Sequence, residues 1–299
     1  MNKPSRIIDP AILTKFGNLS FIAKTVVEGF ISGLHHSIHK GSSVEFAEHR
    51  EYVRGDDPRY LDWKLYGRTD RLYVREFREE TNLKAYIILD ISNSMNYTSQ
   101  PQFITKFRYA QCLAVCLGYL MMKQNDATGL VVFDSDVKKF IKPSSTKAHF
   151  HFLVDNLENI RPGKDTNIGE ILHKIANHIR RRSLIILISD LFDEQDSAMR
   201  GLTHFKYKHH EIIVFHVIDR GEMEFPFDGF RDFVDMETDE RISVDATTIR
   251  AAYQKIFKEF LSFYQKGCSE LGINYARAIT QTPFDYFLYQ FLEMRSQTK

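Results

Sequence analysis

The stretch that decides the fold is residues 85–94, which read Ala-Tyr-Ile-Ile-Leu-Asp-Ile-Ser-Asn-Ser. Its first part, Ala85–Asp90, is short and apolar without alternation, which is typical of a strand buried on both faces of a parallel sheet. Two serines, Ser92 and Ser94, follow the terminal aspartate at alternate positions, so three oxygen-bearing side chains can face one point. Because ligands of open α/β sheets bind beyond the carboxyl ends of the strands, this is the first candidate for a functional site.

The chain beyond this stretch alternates strand-like and helix-like segments. Four more apolar segments predict strands over Gly129–Phe133, Leu184–Ser189, Ile212–Ile218 and Ile273–Ala278. Apolar residues at three- and four-residue steps predict helices over Phe103–Gln124, Ala148–Asn159, Ile168–Arg181, Ser197–Lys208, Ala246–Leu271 and Phe284–Arg295. Two short excursions, Val137–Ile141 and Phe233–Val244, are predicted as hairpins at the margin of the sheet. The alternation predicts an α/β fold with a doubly wound, mostly parallel, Rossmann-like sheet.

The N-terminal part has a different character. A helix is predicted near Leu19–Leu34, and residues 41–80 are dense in charges of both signs, with extended segments expected at Tyr60–Tyr66 and Leu72–Phe77. We therefore predict a helix and a small charged β module over residues 1–80, followed by the α/β domain over residues 81–299. Trp63 and Tyr52 are the expected core of the small module.

The amino-acid composition indicates which kinds of partner the protein can attract. The 299 residues include 40 Lys and Arg against 39 Asp and Glu, a formal net charge of +1, so no global field attracts nucleic acid or an anionic membrane. The longest apolar run is about half of the ~20 residues that a membrane helix needs. Three cysteines are too few for a disulfide framework. We expect a cytoplasmic protein with no membrane span and no nucleic-acid partner.

Two further oxygen donors are expected beside Asp90, Ser92 and Ser94. Thr166 precedes a predicted helix, and Asp190 directly follows a predicted strand. Five oxygens with no nitrogen or sulfur favour a hard cation, Mg²⁺ first, with Mn²⁺ or Ca²⁺ as alternatives. Two carboxylates and three hydroxyls leave one octahedral position for water or for a carboxylate from outside. The metal would then be a binding position for a protein partner that supplies an Asp or Glu.

These five positions resemble the metal-ion-dependent adhesion site of von Willebrand factor type A domains. The resemblance rests on Asp90-x-Ser92-x-Ser94, then Thr166, then Asp190, and on the strand–helix order from Ala85 onward. It implies a von Willebrand factor type A-like fold in which the serines and the threonine are direct or near-direct ligands. It also implies that the two aspartates often act through water.

The N-terminal part is similar to a bacterial family called domain of unknown function fifty-eight (DUF58). The motifs are Gly33-x-x-x-Ser37, Gly41-x-x-x-Glu45-Phe46, Arg50-x-Tyr52-x-x-Gly55-Asp56-Asp57-x-Arg59-x-x-Asp62-Trp63, Arg68 and Val74-Arg75-x-Phe77-x-x-Glu80. Members are commonly encoded beside MoxR-type AAA+ ATPases. The resemblance implies a metal-dependent partner or adaptor of such an ATPase in protein complex assembly or maturation, and we expect no catalysis by the chain. Many members carry N-terminal membrane helices, and this sequence departs from them in showing none.

Two alternatives for the five oxygens stay open. A Mg²⁺-dependent phosphohydrolase or phosphotransferase of the haloacid dehalogenase type also has a nucleophilic Asp after its first strand, but it needs a second carboxylate where this chain has Ser92. A structural domain with an unoccupied metal site is the other. No phosphate-binding Gly-x-x-x-x-Gly-Lys-Ser/Thr loop is present, so we expect no ATP hydrolysis by the chain alone.

The charged segment Arg50–Glu80 has two interpretations. Its charges nearly balance, so it can be an internal network of salt bridges that holds a small module together. It can also be a docking surface that presents Arg54, Arg59 and Arg68 to an acidic partner.

Overall fold

The computed structural model describes residues 9–12, 17–37, 49–53, 61, 63–75, 84–163, 167–236 and 240–297. Within them the strands are β1 (His49–Glu51), β2 (Tyr73–Arg75), β3 (Lys84–Asp90), β4 (Ala127–Phe133), β5 (Val137–Ser144), β6 (Leu184–Ser189), β7 (Glu211–Ile218), β8 (Phe230–Val234), β9 (Arg241–Asp245) and β10 (Asn274–Ile279). The helices with described bounds are α1 (Leu19–Ser37), α2 (Trp63–Thr69), α3 (Lys106–Lys123), α4 (Lys147–Glu158), α5 (Ile168–His178), α6 (Gln195–Tyr207), α7 (Arg220–Glu224), α8 (Ala246–Glu270) and α9 (Phe284–Gln297).

A six-stranded sheet organises the larger part of the chain. Its strand order is β10-β7-β6-β3-β4-β5, in which all neighbours are parallel except the antiparallel pair β4 and β5. The chain leaves β3 toward β4 and β5 and then returns to β6 on the other side of β3. The predicted doubly wound, mostly parallel α/β sheet is therefore confirmed, and the point where the order reverses lies between β3 and β6.

Helices cover both faces of this sheet. Because successive side chains of a strand point to opposite faces, Ile87 and Leu89 of β3 pack with α1, α3, α4 and α9. Ile88, between them, packs on the other face with α5, α6 and α8. Strands buried on both faces explain why their sequences are apolar without alternation.

The two predicted hairpins have different outcomes. β5 pairs with β4 and forms one edge of the main sheet, as expected for Val137–Ile141. The segment predicted at Phe233–Val244 forms β8 and β9, which pair with each other in a separate two-stranded sheet.

The chain divides into two compact units, Met1–Leu34 with Leu83–Lys299, and His35–Asn82. In the first unit, Leu19 and Ile22 of α1 are fully buried in the same hydrophobic cluster as β3. The second unit contains the antiparallel pair β1 and β2, and helix α2.

Within the second unit, two expectations were wrong. The segment expected to be extended at Tyr60–Tyr66 contains the start of α2, because residues 63–68 include no β-branched side chain that would favour a strand. Trp63 is 62% exposed and contacts Tyr66, one turn further on, edge to face, so it is no core residue. Tyr52 is partly buried.

No helix in the part of the chain that the structure describes combines the length and the apolar character required to cross a membrane.

The packing of α5 against α6 predicts a specific sensitivity to side-chain volume. A β-carbon added at Gly169 would lie 2.6 Å from the carbonyl oxygen of Ser197, a backbone atom that cannot rotate away. Gly169→Ala should therefore lower the free energy of unfolding by about 1–3 kcal/mol despite the better helix propensity of alanine. Gly29→Ala, in α1 with nothing within 4 Å of the added atom, is the matched control and should stabilise the chain slightly. Urea unfolding of both variants measures the change in the free energy of unfolding. Equal stabilisation by both substitutions would contradict the close contact at Gly169.

Candidate metal centre at the carboxyl edge of the sheet

The candidate site lies where the strand order reverses, at the carboxyl ends of β3 and β6. These strands pair in parallel up to Leu89 and Ile188, so the next residues, Asp90 and Ser189, emerge side by side. Both are fully buried, and the Ser189 hydroxyl donates a 2.6 Å hydrogen bond to Asp90 Oδ2. The topology therefore puts a desolvated carboxylate at the place where α/β sheets bind ligands.

The loop after β3 brings the two predicted serines together. The backbone N–H of Ser92 donates to Asp90 Oδ1 at 2.9 Å, and a 3₁₀ turn follows over Asn93–Asn96. The hydroxyls of Ser92 and Ser94 hydrogen-bond to each other, with their oxygens 3.1 Å apart. Adjacent ligands of an octahedral Mg²⁺ with Mg–O distances of about 2.1 Å are separated by about 3 Å, so this pair has the spacing of two such ligands.

Asp190, the residue after β6, is held at both carboxylate oxygens. Oδ1 accepts from the backbone N–H of Phe192 at 3.2 Å, and Oδ2 accepts from Lys106 Nζ at 2.8 Å. The intervening Leu191 has φ +56°, a left-handed conformation that costs a non-glycine residue about 1–2 kcal/mol. Its N–H donates to Ser189 Oγ and its carbonyl accepts from Tyr264 Oη, so surrounding contacts hold the strained turn that positions Asp190.

Lys106 was not expected to belong to the site. It is the first residue of α3, its side chain is 1% exposed, and its ammonium also donates to Glu222 Oε1 at 2.6 Å. Burial alone would lower the pKa of this lysine, but the carboxylates of Asp190 and Glu222 more than offset that effect and raise it. Lys106 is therefore a permanent cation inside the site.

Glu222 and Asp219 extend the buried network to the end of β7. Asp219 caps α7 by accepting from the N–H of Gly221 at 2.7 Å, and Glu222 Oε2 accepts from the N–H of Asp219 at 2.8 Å. Lys106 thus links the residue after β6 to a capping box after β7. The Asp-x-x-Glu spacing of a capping box was visible in the sequence, whereas its contact with Lys106 was not.

The charges of this cluster do not balance. Asp90, Asp190 and Glu222 are three carboxylates, and Lys106 is the only basic side chain in the described part of the chain that pairs with any of them. Two negative charges are left over when all are ionised, and Asp219 adds a further buried carboxylate. Burial, and then the nearby charge of Asp190, raise the pKa of Asp90 to about 7. Burial likewise raises the pKa of Glu222.

Thr166 lies outside the described residues, so its position stays a prediction. The residues on either side of the gap are at this edge of the sheet. The N–H of Gly163 donates to the carbonyl of Ile91 at 2.6 Å, and the N–H of Ile168 donates to the carboxylate of Asp193. Ile91 and Asp193 follow β3 and β6 respectively.

Asp134, at the end of β4, is a further acidic residue at this edge that the sequence interpretation missed. It is 2% exposed and forms a 2.9 Å ion pair with Lys138. A β-carbon on Gly163 would lie 2.8 Å from its carboxyl carbon, so only glycine allows the chain to pass so close. The direct pairing with Lys138 distinguishes Asp134 from Asp90, for which no ion pair is seen among the residues that the structure describes.

The three predicted partner-binding arginines are in the second unit. Arg54 and Arg59 lie outside the described residues. Arg68 is exposed in the last turn of α2. A docking role for these arginines stays a prediction.

The donor set fits a hard cation. No group of three or more His, Cys, Asp or Glu side chains within the described ranges is arranged to hold a metal, so such an ion would depend on hydroxyl oxygens as well. Ser92 and Ser94 supply them at octahedral spacing, beside the buried carboxylates of Asp90 and Asp190. Oxygen ligands of this kind suit Mg²⁺, Mn²⁺ or Ca²⁺.

Several solved structures are similar to this chain. The conserved hypothetical protein BatB from Bacteroides thetaiotaomicron has 18% sequence identity and a TM-score of 0.47, over 72% of this chain and 99% of that one. An aerotolerance-related membrane protein from Bacteroides fragilis has 21% identity and a TM-score of 0.49, over 71% and 99%. The SpRpn10 VWA domain, a von Willebrand factor type A domain, has 11% identity and a TM-score of 0.42, over 70% and 94%.

Sequence relatives and a family match complete the comparison. Uncharacterized proteins of Mycobacterium tuberculosis and Mycobacterium bovis are 23% identical to this chain over 223 residues, which cover 74% of this chain and 69% of each relative. The family described as protein of unknown function DUF58 matches residues 48–260. That span is more than half of the sequence and includes the candidate site from Asp90 to Glu222, so this chain belongs to the DUF58 family.

Proposed function

We propose that this chain is a divalent-metal-dependent protein-binding module that acts as a partner or adaptor of a MoxR-type AAA+ ATPase. One observation carries the metal part of the proposal. The hydroxyls of Ser92 and Ser94, with their oxygens 3.1 Å apart, lie beside a buried cluster that carries two uncompensated negative charges when all three of its carboxylates are ionised. A divalent cation would balance that charge.

The ligands follow from the donor set. Ser92, Ser94 and Thr166 would bind the ion through their hydroxyls, and Asp90 and Asp190 would bind it directly or through water. Mg²⁺ is the first candidate, with Mn²⁺ or Ca²⁺ as alternatives. The bound ion would supply a position for one more oxygen ligand, which we assign to an Asp or Glu of the protein partner.

The same residues argue against phosphoryl transfer. The carboxylate of Asp90 is fully buried, and both of its oxygens accept hydrogen bonds within the chain, from Ser92 and Ser189. A nucleophile has to reach its phosphate, and the residue two positions on is Ser92 rather than an acid. We therefore propose a binding role without catalysis.

A second candidate function has one observation in its favour. Lys106 already pairs with Asp190 and Glu222, so the five oxygens can instead stabilise loops without any divalent ion. The two candidates differ in whether the chain binds Mg²⁺.

The first prediction for this function concerns metal affinity. Calorimetric titration of the purified chain with Mg²⁺ should show one site, and Ser92→Ala should weaken binding at least tenfold because a direct ligand is lost. Ser135→Ala, an exposed serine after β4, is the matched control and should bind like the parent chain. Absence of any binding by the parent chain would favour the purely structural role.

A second prediction concerns Asp90 and pH without metal. The pKa of Asp90 is about 7 in the folded chain, against an ordinary value near 4, so the unfolded chain loses this proton at lower pH than the folded one. This residue therefore makes the free energy of unfolding fall as pH rises from about 4 to about 7. Asp90→Asn removes the effect and should stabilise the metal-free chain at pH 8 by on the order of 1 kcal/mol or more, with little gain at pH 4.

Urea unfolding in EDTA at both pH values measures this difference. Asp136→Asn, at an exposed aspartate, is the control and should show no such pH-dependent gain. If Asp90→Asn is instead less stable than the parent chain at pH 8, the carboxylate of Asp90 stabilises the metal-free fold and the prediction is wrong.

A third prediction concerns the ATPase partner. The chain alone should not hydrolyse ATP, whereas mixing it with a MoxR-type AAA+ ATPase from the same genome should change that enzyme's turnover at least twofold. Ser92→Ala should abolish the change and Ser135→Ala should preserve it; a variant is preferable to EDTA because the ATPase itself needs Mg²⁺. If the arginines of the second unit also contact the ATPase, Arg68→Ala should weaken the change in turnover independently of Ser92→Ala. ATP turnover by the chain alone would refute the binding-module proposal.

A further inference from the structure

We propose that Lys106 and Glu222 together set the affinity of the site for a divalent cation, Lys106 lowering it and Glu222 raising it. The inference rests on the metal site proposed above and assigns its regulation to two residues outside the ligand set. Its basis is the pair of hydrogen bonds that one ammonium makes, 2.8 Å to Asp190 and 2.6 Å to Glu222.

The position of the ammonium is fixed. The backbone N–H of Lys106 donates to the carbonyl of Tyr97 at 3.0 Å, at the first position of α3. Its Nζ lies 4.6 Å from the ring centroid of Phe192 and 5.7 Å from that of Tyr97. Because the side chain is 1% exposed, it cannot turn into solvent when a second cation approaches Asp190.

Glu222 is fixed as firmly on the other side of the ammonium. Its Oε2 accepts from the N–H of Asp219 within the capping box of α7, and its Oε1 faces Lys106. The Glu222 carboxylate therefore offsets part of the positive charge of the ammonium, which would otherwise act on Asp190 alone. This is a fixed electrostatic effect, because both partners are buried and little screened by salt.

The direction of each effect follows from the sign of the charge. Lys106 repels an incoming cation and Glu222 attracts it. Both lie within two hydrogen-bond lengths of Asp190, so each is within about 10 Å of the proposed ion. At an effective dielectric constant of about 20, one unit charge at that distance changes the binding constant of a divalent ion by at least about tenfold.

The test is a cycle of variants in the full chain, each titrated calorimetrically with Mg²⁺ at pH 8.5. Lys106→Met should tighten Mg²⁺ binding about tenfold or more, and Glu222→Gln should weaken it by a similar factor. The double variant Lys106→Met/Glu222→Gln leaves the net charge of the cluster unchanged and should bind nearly as the parent does.

Opposite signs separate this inference from a merely structural role, which would make both single variants weaker. Lys123→Met removes the same charge from the other, exposed end of α3 and should leave Mg²⁺ binding unchanged. Glu222→Gln keeps the Lys106–Asp190 pair, so it remains informative if Lys106→Met fails to fold.

Three results would overturn the inference. A Glu222→Gln variant that binds Mg²⁺ as tightly as the parent or more tightly, or a Lys106→Met variant that binds more weakly, overturns it while the metal site stands. A parent chain that binds no Mg²⁺ overturns the metal site itself and this inference with it.

Discussion

The parallel strands β3 and β6 position two carboxylates, Asp90 and Asp190, in one buried region. The folded chain has to compensate their negative charge there. An uncompensated buried carboxylate costs several kcal/mol, so the local structure is arranged to supply donors. The N–H groups of Ser92 and Phe192, the hydroxyl of Ser189 and the ammonium of Lys106 all point at these two groups. The loop after each strand takes its shape from that requirement.

The compensation is incomplete, and a backbone cost is added to the electrostatic one. The pKa of Asp90 is raised to about 7, and Leu191 adopts a left-handed backbone conformation next to Asp190. Costs of this kind persist where surrounding contacts impose them, and they concentrate at functional sites. A cation that binds only the folded chain would recover part of this cost, since selective binding to the native state stabilises it.

The sequence was sufficient for the sheet and for part of the site. Apolar segments without alternation identified the buried strands, and the rule that ligands bind beyond the carboxyl ends of parallel strands pointed to Asp90, Ser92, Ser94 and Asp190. Lys106 could not be identified in this way, because lysine is rarely fully buried and its two partners come from residues 84 and 116 positions further along the chain. Local sequence also misled the interpretation at Trp63, where an aromatic residue expected in a core lies on an exposed helix.

The position of helix α1 in the sequence affects the entropic cost of forming the hydrophobic core. Leu19 and Ile22 pack with β3, yet the whole second unit, His35–Asn82, stands between them in the sequence. The second unit is thus an insertion in the sequence. The segments before and after it, α1 and β3, have to pack against each other. The entropic cost of closing such a connection grows only with the logarithm of its length, so doubling it costs about 0.6 kcal/mol. This segment can therefore lengthen or shorten during evolution while α1 continues to pack on the sheet that follows it.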